Sequence, residues 1–248
     1  MGNQSSATVL EQSAEKEIST VKVKNKGKGF LKGLFAVVVY ALAFLFVAHS
    51  IWVFSGSNQW KYIGEDNGVK VYTLKAPGAD LVQAKGVFRV HATLGSIVKF
   101  MQDPDTCNDV GCYDARTVER VDEHLRYDYF KIKFPPPFSP RDFMVRQQLY
   151  QSPTTKEILM EFAAAPDKTP LNNCCVRVTT MANTWRFTPL GNGEVEIEYI
   201  INMNEGGYMP DLLLNLVHPK IMAQLPNLQK FFDKPKFKNA TLDFIQEK

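Results

Sequence analysis

Asp128 is an acid set inside a run of rings, Tyr127-Asp128-Tyr129-Phe130. A carboxylate in apolar surroundings can shuttle a proton or hold a polar head group. On the outer face of a sheet it would be an ordinary solvated acid. Facing inward it needs a partner, because a buried polar group is costly alone. No other acid in the chain stands out for acid–base chemistry in an apolar interior. The four histidines, His49, His91, His124 and His218, are scattered. No Ser-His-Asp arrangement or glycine-rich phosphate loop is suggested. Cys107, Cys112, Cys174 and Cys175 are spaced as C-x4-C and an adjacent pair, which is no usual zinc pattern, and no histidines cluster with them. No metal and no cofactor are expected. The cysteines read as buried or loop thiols. In an oxidising compartment a Cys107–Cys112 bridge, or one from these to Cys174 or Cys175, becomes the alternative. Arg141 and Asp142 flank a chain reversal and read as structural.

These residues need elements to position them. Trp60–Tyr72 holds a strand, a tight-turn signal at Asp66-Asn67-Gly68 and a second strand. Strands follow at Gly86–His91 and Arg116–Val121. Between them Leu94, Ile97, Val98 and Met101 share a helix face, with Thr93 as N-cap. Leu125–Phe134 alternates late, with Phe130, Ile132 and Phe134 opposite Lys131 and Lys133. The proline-rich stretch Pro135–Pro140 forces an extended connection. Phe143–Tyr150, Glu157–Ala164 and Cys175–Thr180 read as strands. A last hairpin joins Thr184–Thr188 to Val195–Ile201 through Gly191-Asn192-Gly193. After Gly206-Gly207 the spacing turns helical from Met209 to Phe232, with Pro219 and Pro226 set to kink or divide the helix. The fold class is α+β, a curved antiparallel sheet wrapped around a long C-terminal helix. Its interior is either packed solid or left hollow, and periodicity does not decide which.

Leu34–Phe54 is an apolar run without Asp, Glu, Lys or Arg, long enough to cross a bilayer as a helix. Its leader and core are too long for a cleaved signal peptide. The chain therefore divides into a polar, basic segment at 1–32 expected to lack structure, an anchor at 33–55, a globular domain at 57–235 and a tail at 236–248. Residues 1–32 carry six lysines against three glutamates, which accounts for the whole net charge of +3. The domain is thus near neutral, which argues against a nucleic-acid partner. Lysines before the run outnumber those after it. That places the N-terminus in the cytoplasm and the domain across the membrane, in the periplasm if the source is bacterial.

Several segments, in order, resemble the START family of lipid-transfer domains, most closely its bacterial-type members. They are Trp60–Tyr72, Gly86-Val87-Phe88, Met101–Pro104, Ala115–Val121, Pro140-Arg141-Asp142-Phe143, Phe162–Pro166, Thr184–Gly193 and Gly206-Gly207. The resemblance covers about residues 60–232. It implies a helix-grip fold whose sheet and last helix enclose one lipid, and a carrier instead of an enzyme. It further implies a gating loop, which falls here near Asp167–Asn173, with Pro170, Leu171 and Asn172 as candidates. Cavity candidates are Asp128, either Arg146 or Gln147, Trp185, Leu213, Leu216 and Val217. Two departures stand out. Cys107–Val110 replaces a tryptophan usual after the Asp-Pro. Sterol-binding members also place an acid and a base in the cavity. Here the acid falls near Asp128 but the base falls on Gln147, with Arg146 on the other face, so a sterol ligand does not carry over. The expectation is a membrane-anchored lipid-binding or lipid-transfer protein with a monomeric soluble domain. The alternatives are an enzyme on the same scaffold, a cyclase or hydrolase, and an interaction or sensor module with a filled core.

Overall fold

The computed structural model describes residues 26–222 and 225–247. The chain forms two compact units that divide between Ile51 and Trp52. Helix α1 (Lys26–Phe54) makes up the first and runs into the start of the second. Its stretch Leu31–Phe54 is 24 residues long, apolar enough to cross a membrane, and unburied. An all-round apolar helix without protein cover suits a lipid solvent. Ser50, a polar residue near the end of the run, returns its hydroxyl to the Phe46 carbonyl at 2.8 Å. The leader expected to lack structure over 1–32 is helical from Lys26; residues 1–25 lie outside the described residues.

The second unit is built on one sheet. Its strands are β1 (Lys61–Asp66), β2 (Val69–Leu74), β3 (Gln83–His91), β4 (Cys112–Arg120), β5 (Leu125–Ile132), β6 (Arg141–Gln151), β7 (Ile158–Ala164), β8 (Val176–Arg177), β9 (Thr180–Gly191), β10 (Glu194–Ile201) and β11 (Met203–Asn204). The main order is β1-β2-β3-β10-β9-β7-β6-β5-β4, with β8 beside β6 and β11 beside β9. Neighbours on the main path are antiparallel; β8 runs parallel to β6. The two hairpins signalled by Asn-Gly steps form as expected. Asn67, Gly68, Asn192 and Gly193 all take positive φ, the conformation that tight hairpin turns need.

One face of the sheet carries the helices and is here the inner face. Helix α2 (Leu94–Met101) starts from Thr93, whose hydroxyl accepts from the Ser96 amide. Helix α3 (Asp211–Met222) packs on β2 and β3. The predicted long C-terminal helix is divided: a short 3-10 turn at Leu225–Leu228, which contains Pro226, leads into α4 (Gln229–Phe232). Pro219 stays within α3. Phe100 of α2 stacks on Phe231 at 5.5 Å and meets Phe232 and Phe237 edge-on. The main core joins these rings to inward residues of the strands, among them Val69, Phe88, Leu149, Ile158, Phe187 and Ile197. A smaller core of Phe143, Val145 and Val178 lies farther along β6.

Residues after 236, expected to trail as a tail, dock instead. Phe237 and Ile245 are buried. The Glu247 carboxylate accepts from the Leu94 and Gly95 amides at 2.9 and 2.8 Å, placing an anion at the α2 N-terminus. A Cβ on Gly95 would meet the Ala240 carbonyl at 2.5 Å, so this close approach needs glycine.

Candidate functional site

Side chains alternate across β6. Phe143, Val145, Gln147 and Leu149 face inward; Asp142, Met144 and Arg146 face outward. Register carries the inner face sideways. Gln147 lies opposite Arg126 on β5 and Phe162 on β7, and Phe162 lies opposite Asn183 on β9. The result is a row of polar groups, interrupted by one ring, between the two apolar cores.

Gln147 is 1 % exposed, and neither its amide oxygen nor its amide nitrogen has a hydrogen-bond partner. Each such orphan costs on the order of 1–3 kcal/mol. Asn183 is buried but satisfied. Its oxygen accepts from the Asn202 amide at 2.8 Å, and its nitrogen donates to the Tyr199 hydroxyl at 3.2 Å and approaches Met203 Sδ at 3.7 Å. Burial pushes the Tyr199 phenol well above its usual range, the nearby Glu205 charge adds to that, and the Asn183 donor opposes both. The Tyr199 ring stacks on Trp185 at 3.9 Å.

Asp128 faces inward and is held by Arg126, two residues earlier on the same face. Arg126 Nε and Nη2 donate to the two carboxylate oxygens at 2.7 and 2.6 Å. Arg126 also donates to the Gln102 carbonyl at 2.6 Å and to Thr117 Oγ1. The acid–base pair sought across two strands is therefore supplied within β5. Sequence reading overlooked Arg126, although its i, i+2 spacing from Asp128 on a strand is the signal that marks one face. With both oxygens held by a guanidinium, Asp128 is poorly placed as a proton shuttle.

Other expected positions fall elsewhere. Arg146 faces outward and donates to Gln148 at 2.7 Å. On α3 the buried residues are Leu214, His218 and Met222, a one-per-turn stripe. Leu216 and Val217, expected to line the interior, are exposed at 57 % and 37 %, and Leu213 is only partly buried. The candidate gating residues Pro170, Leu171 and Asn172 cross the outer face, where they line a shallow cleft of about 460 Å³ with Arg116 and Tyr129. Arg177 ties this strap down, donating to Asp142 at 2.7 and 2.9 Å and to the carbonyls of Pro166, Thr169 and Pro170. Arg141 binds the carbonyls of Ser139, Glu205 and Gly206, the structural corner expected of it. The cysteines are bridged. Cys107 pairs with Cys112, and Cys174 with its neighbour Cys175, a pairing not anticipated. Among the described residues no cluster of His, Cys, Asp or Glu is arranged to hold a metal ion.

Comparison with known proteins places this architecture. No protein-family model matches the chain. A fragment of a STAR-related lipid transfer protein from Xanthomonas axonopodis superposes with a TM-score of 0.65 at 22 % identity, covering 71 % of this chain and 99 % of that one. Human StAR-related lipid transfer protein 5 gives 0.59 at 19 % identity, covering 80 % and 96 %. In sequence, an uncharacterized protein of Pseudomonas aeruginosa is 24 % identical over 187 residues, 75 % of this chain and 90 % of that one. Human ceramide transfer protein is 25 % identical over 224 residues, 82 % of this chain. The chain spans about a third of that relative's length, 34 %.

Proposed function

The chain has the helix-grip fold of the START-related lipid-transfer domains, and from the unpaired amide at its centre we propose that it binds one lipid between the sheet and α3. The observation that carries this is Gln147. A buried primary amide whose donor and acceptor have no protein partner suits the polar head group of a lipid. The apolar residues on either side, Val145 and Leu149, with Phe162 across the ladder, suit hydrocarbon next to that head group. The named relatives point the same way: one is called for ceramide, an uncharged lipid whose amide matches a Gln side chain donor for acceptor.

The protein acts as a membrane-anchored carrier or binder and not as an enzyme. α1 holds it in the bilayer, which raises the local concentration of the domain at the lipid surface. The exposed apolar residues Tyr208, Leu212, Leu216, Val217 and Ile221 give the region of α3 a surface suited to a bilayer. Two disulfides support placing the domain outside the cytoplasm, in line with the lysine asymmetry around α1, and in a bacterium that compartment is the periplasm. The strap at 166–173 is left on the outer face by this reading, so ligand access falls to α3.

The test uses residues 52–248, which hold all the strands and both cores. Ceramide should bind this unit at one site, and Gln147→Leu should weaken binding about tenfold or more, the worth of a lost hydrogen bond to a buried group. Equal binding by both proteins would remove Gln147 from the site.

A further inference from the structure

Glu205 follows β11, directly before Gly206 and Gly207, which both take positive φ to turn the chain toward α3. It is 2 % exposed. One carboxylate oxygen, Oε1, lies 2.7 Å from His218 Nε2, and His218 is one of the three buried residues of α3. The other oxygen, Oε2, is buried and has no partner. Charged or titratable groups reach Glu205 from each element around it: His218 from α3, Arg141 from β6 and Tyr199 from β10. Tyr199 in turn holds Asn183, the neighbour of the Gln147–Phe162 row. Glu205 is thus linked to the polar row through Tyr199, and α3 fixes its side chain in place through His218.

The chemistry of a ligand group that would satisfy Oε2 is restricted. It must donate a hydrogen bond. A phosphate or carboxylate is repelled by Glu205 and finds no free cation, since the buried arginines are engaged: Arg126 by Asp128, Arg177 by Asp142, and Arg141 by three backbone carbonyls. A cationic amine gains little, because the Arg141 guanidinium already stands against the Glu205 charge. An uncharged hydroxyl fits. We propose that Glu205, oriented by His218, accepts a hydrogen bond from a hydroxyl of the bound lipid. The ligand is then an uncharged lipid with a free hydroxyl. This inference rests on the lipid-carrier reading.

The full chain in phosphatidylcholine vesicles tests it with three photoactivatable probes: a ceramide, the same ceramide with its hydroxyls methylated, and its phosphocholine ester. After irradiation, labelled peptides are mapped by mass spectrometry. The expected result is ceramide labelling of inner-face peptides from β6, β9, β10 or α3. Methylation or esterification should lower it about tenfold. Glu205→Gln should label weakly and discriminate little between ceramide and its methyl ether. Equal labelling of wild type by ceramide and its methyl ether overturns the proposal while leaving the carrier reading intact, and this comparison needs no variant. A folded Glu205→Gln protein that labels and discriminates like wild type overturns it equally. No inner-face labelling by any probe would sink the carrier reading and this inference together.

Discussion

Gln147 separates a binding residue from a structural one, because the two roles predict opposite effects of its removal. A structural amide would be hydrogen-bonded, and its loss would destabilise the fold. Gln147 has no protein partner, so Gln147→Leu should leave the unfolding free energy of the domain, read by urea, unchanged or raise it by about 1–3 kcal/mol. A large destabilisation would show that the amide is satisfied in the empty protein. Tyr199 gives a pH test. Its phenol is pushed up in the fold, so the native state disfavours the phenolate more than the unfolded chain does. Stability is therefore full below the unfolded value of about 10 and falls above it, by at most about 1.4 kcal/mol per pH unit. Tyr199→Phe should flatten that decline between about pH 10 and 12 in chemical denaturation. An unchanged slope would place the phenol in water. Alternation along β6 made the inward direction of Gln147 legible in the sequence. Its lack of a partner was not, since that depends on what β5, β7 and β9 place around it.

At the scale of elements, the strands and tight turns were the most legible, because a two-residue period and Asn-Gly steps are local signals. Helix α3 was the least. Eight of its residues from Asp211 to Met222 are Leu, Val, Ile, Met or Pro, so composition is apolar all round and gives no face. The sheet selects Leu214, His218 and Met222, a stripe that contains the only histidine of the helix. His218 of that stripe meets Glu205 on the loop after β11, a long-range contact that composition does not show. Leu214→Ala should cost about 2–5 kcal/mol in urea unfolding, whereas Leu216→Ala should stay within about 0.5 kcal/mol. The reverse ranking would mean the helix is rotated. Replacing Leu212 and Leu216 together by Glu should instead weaken vesicle association of residues 52–248, with little change in the unfolding midpoint. Undiminished association would take this surface out of membrane contact.

For the whole molecule, the division into an apolar helix and a sheet-based unit was plain from composition. So was the order of elements that resembles the START domains, whose fold the second unit shares. The docking of residues 237–247 was hidden, because two phenylalanines, a leucine, an isoleucine and a glutamate at irregular spacing make no pattern until Gly95 and Phe100 receive them. The disulfide between Cys174 and Cys175 was hidden as well. The central claim is that the sheet and α3 hold one lipid. Native mass spectrometry of residues 52–248, purified without detergent from a host rich in varied lipids, reads this directly. The account predicts one lipid per chain, uncharged, lost on solvent extraction and regained when offered back. A bare mass that takes up none of the offered lipids would contradict it, and would leave a filled-core interaction module on a membrane tether.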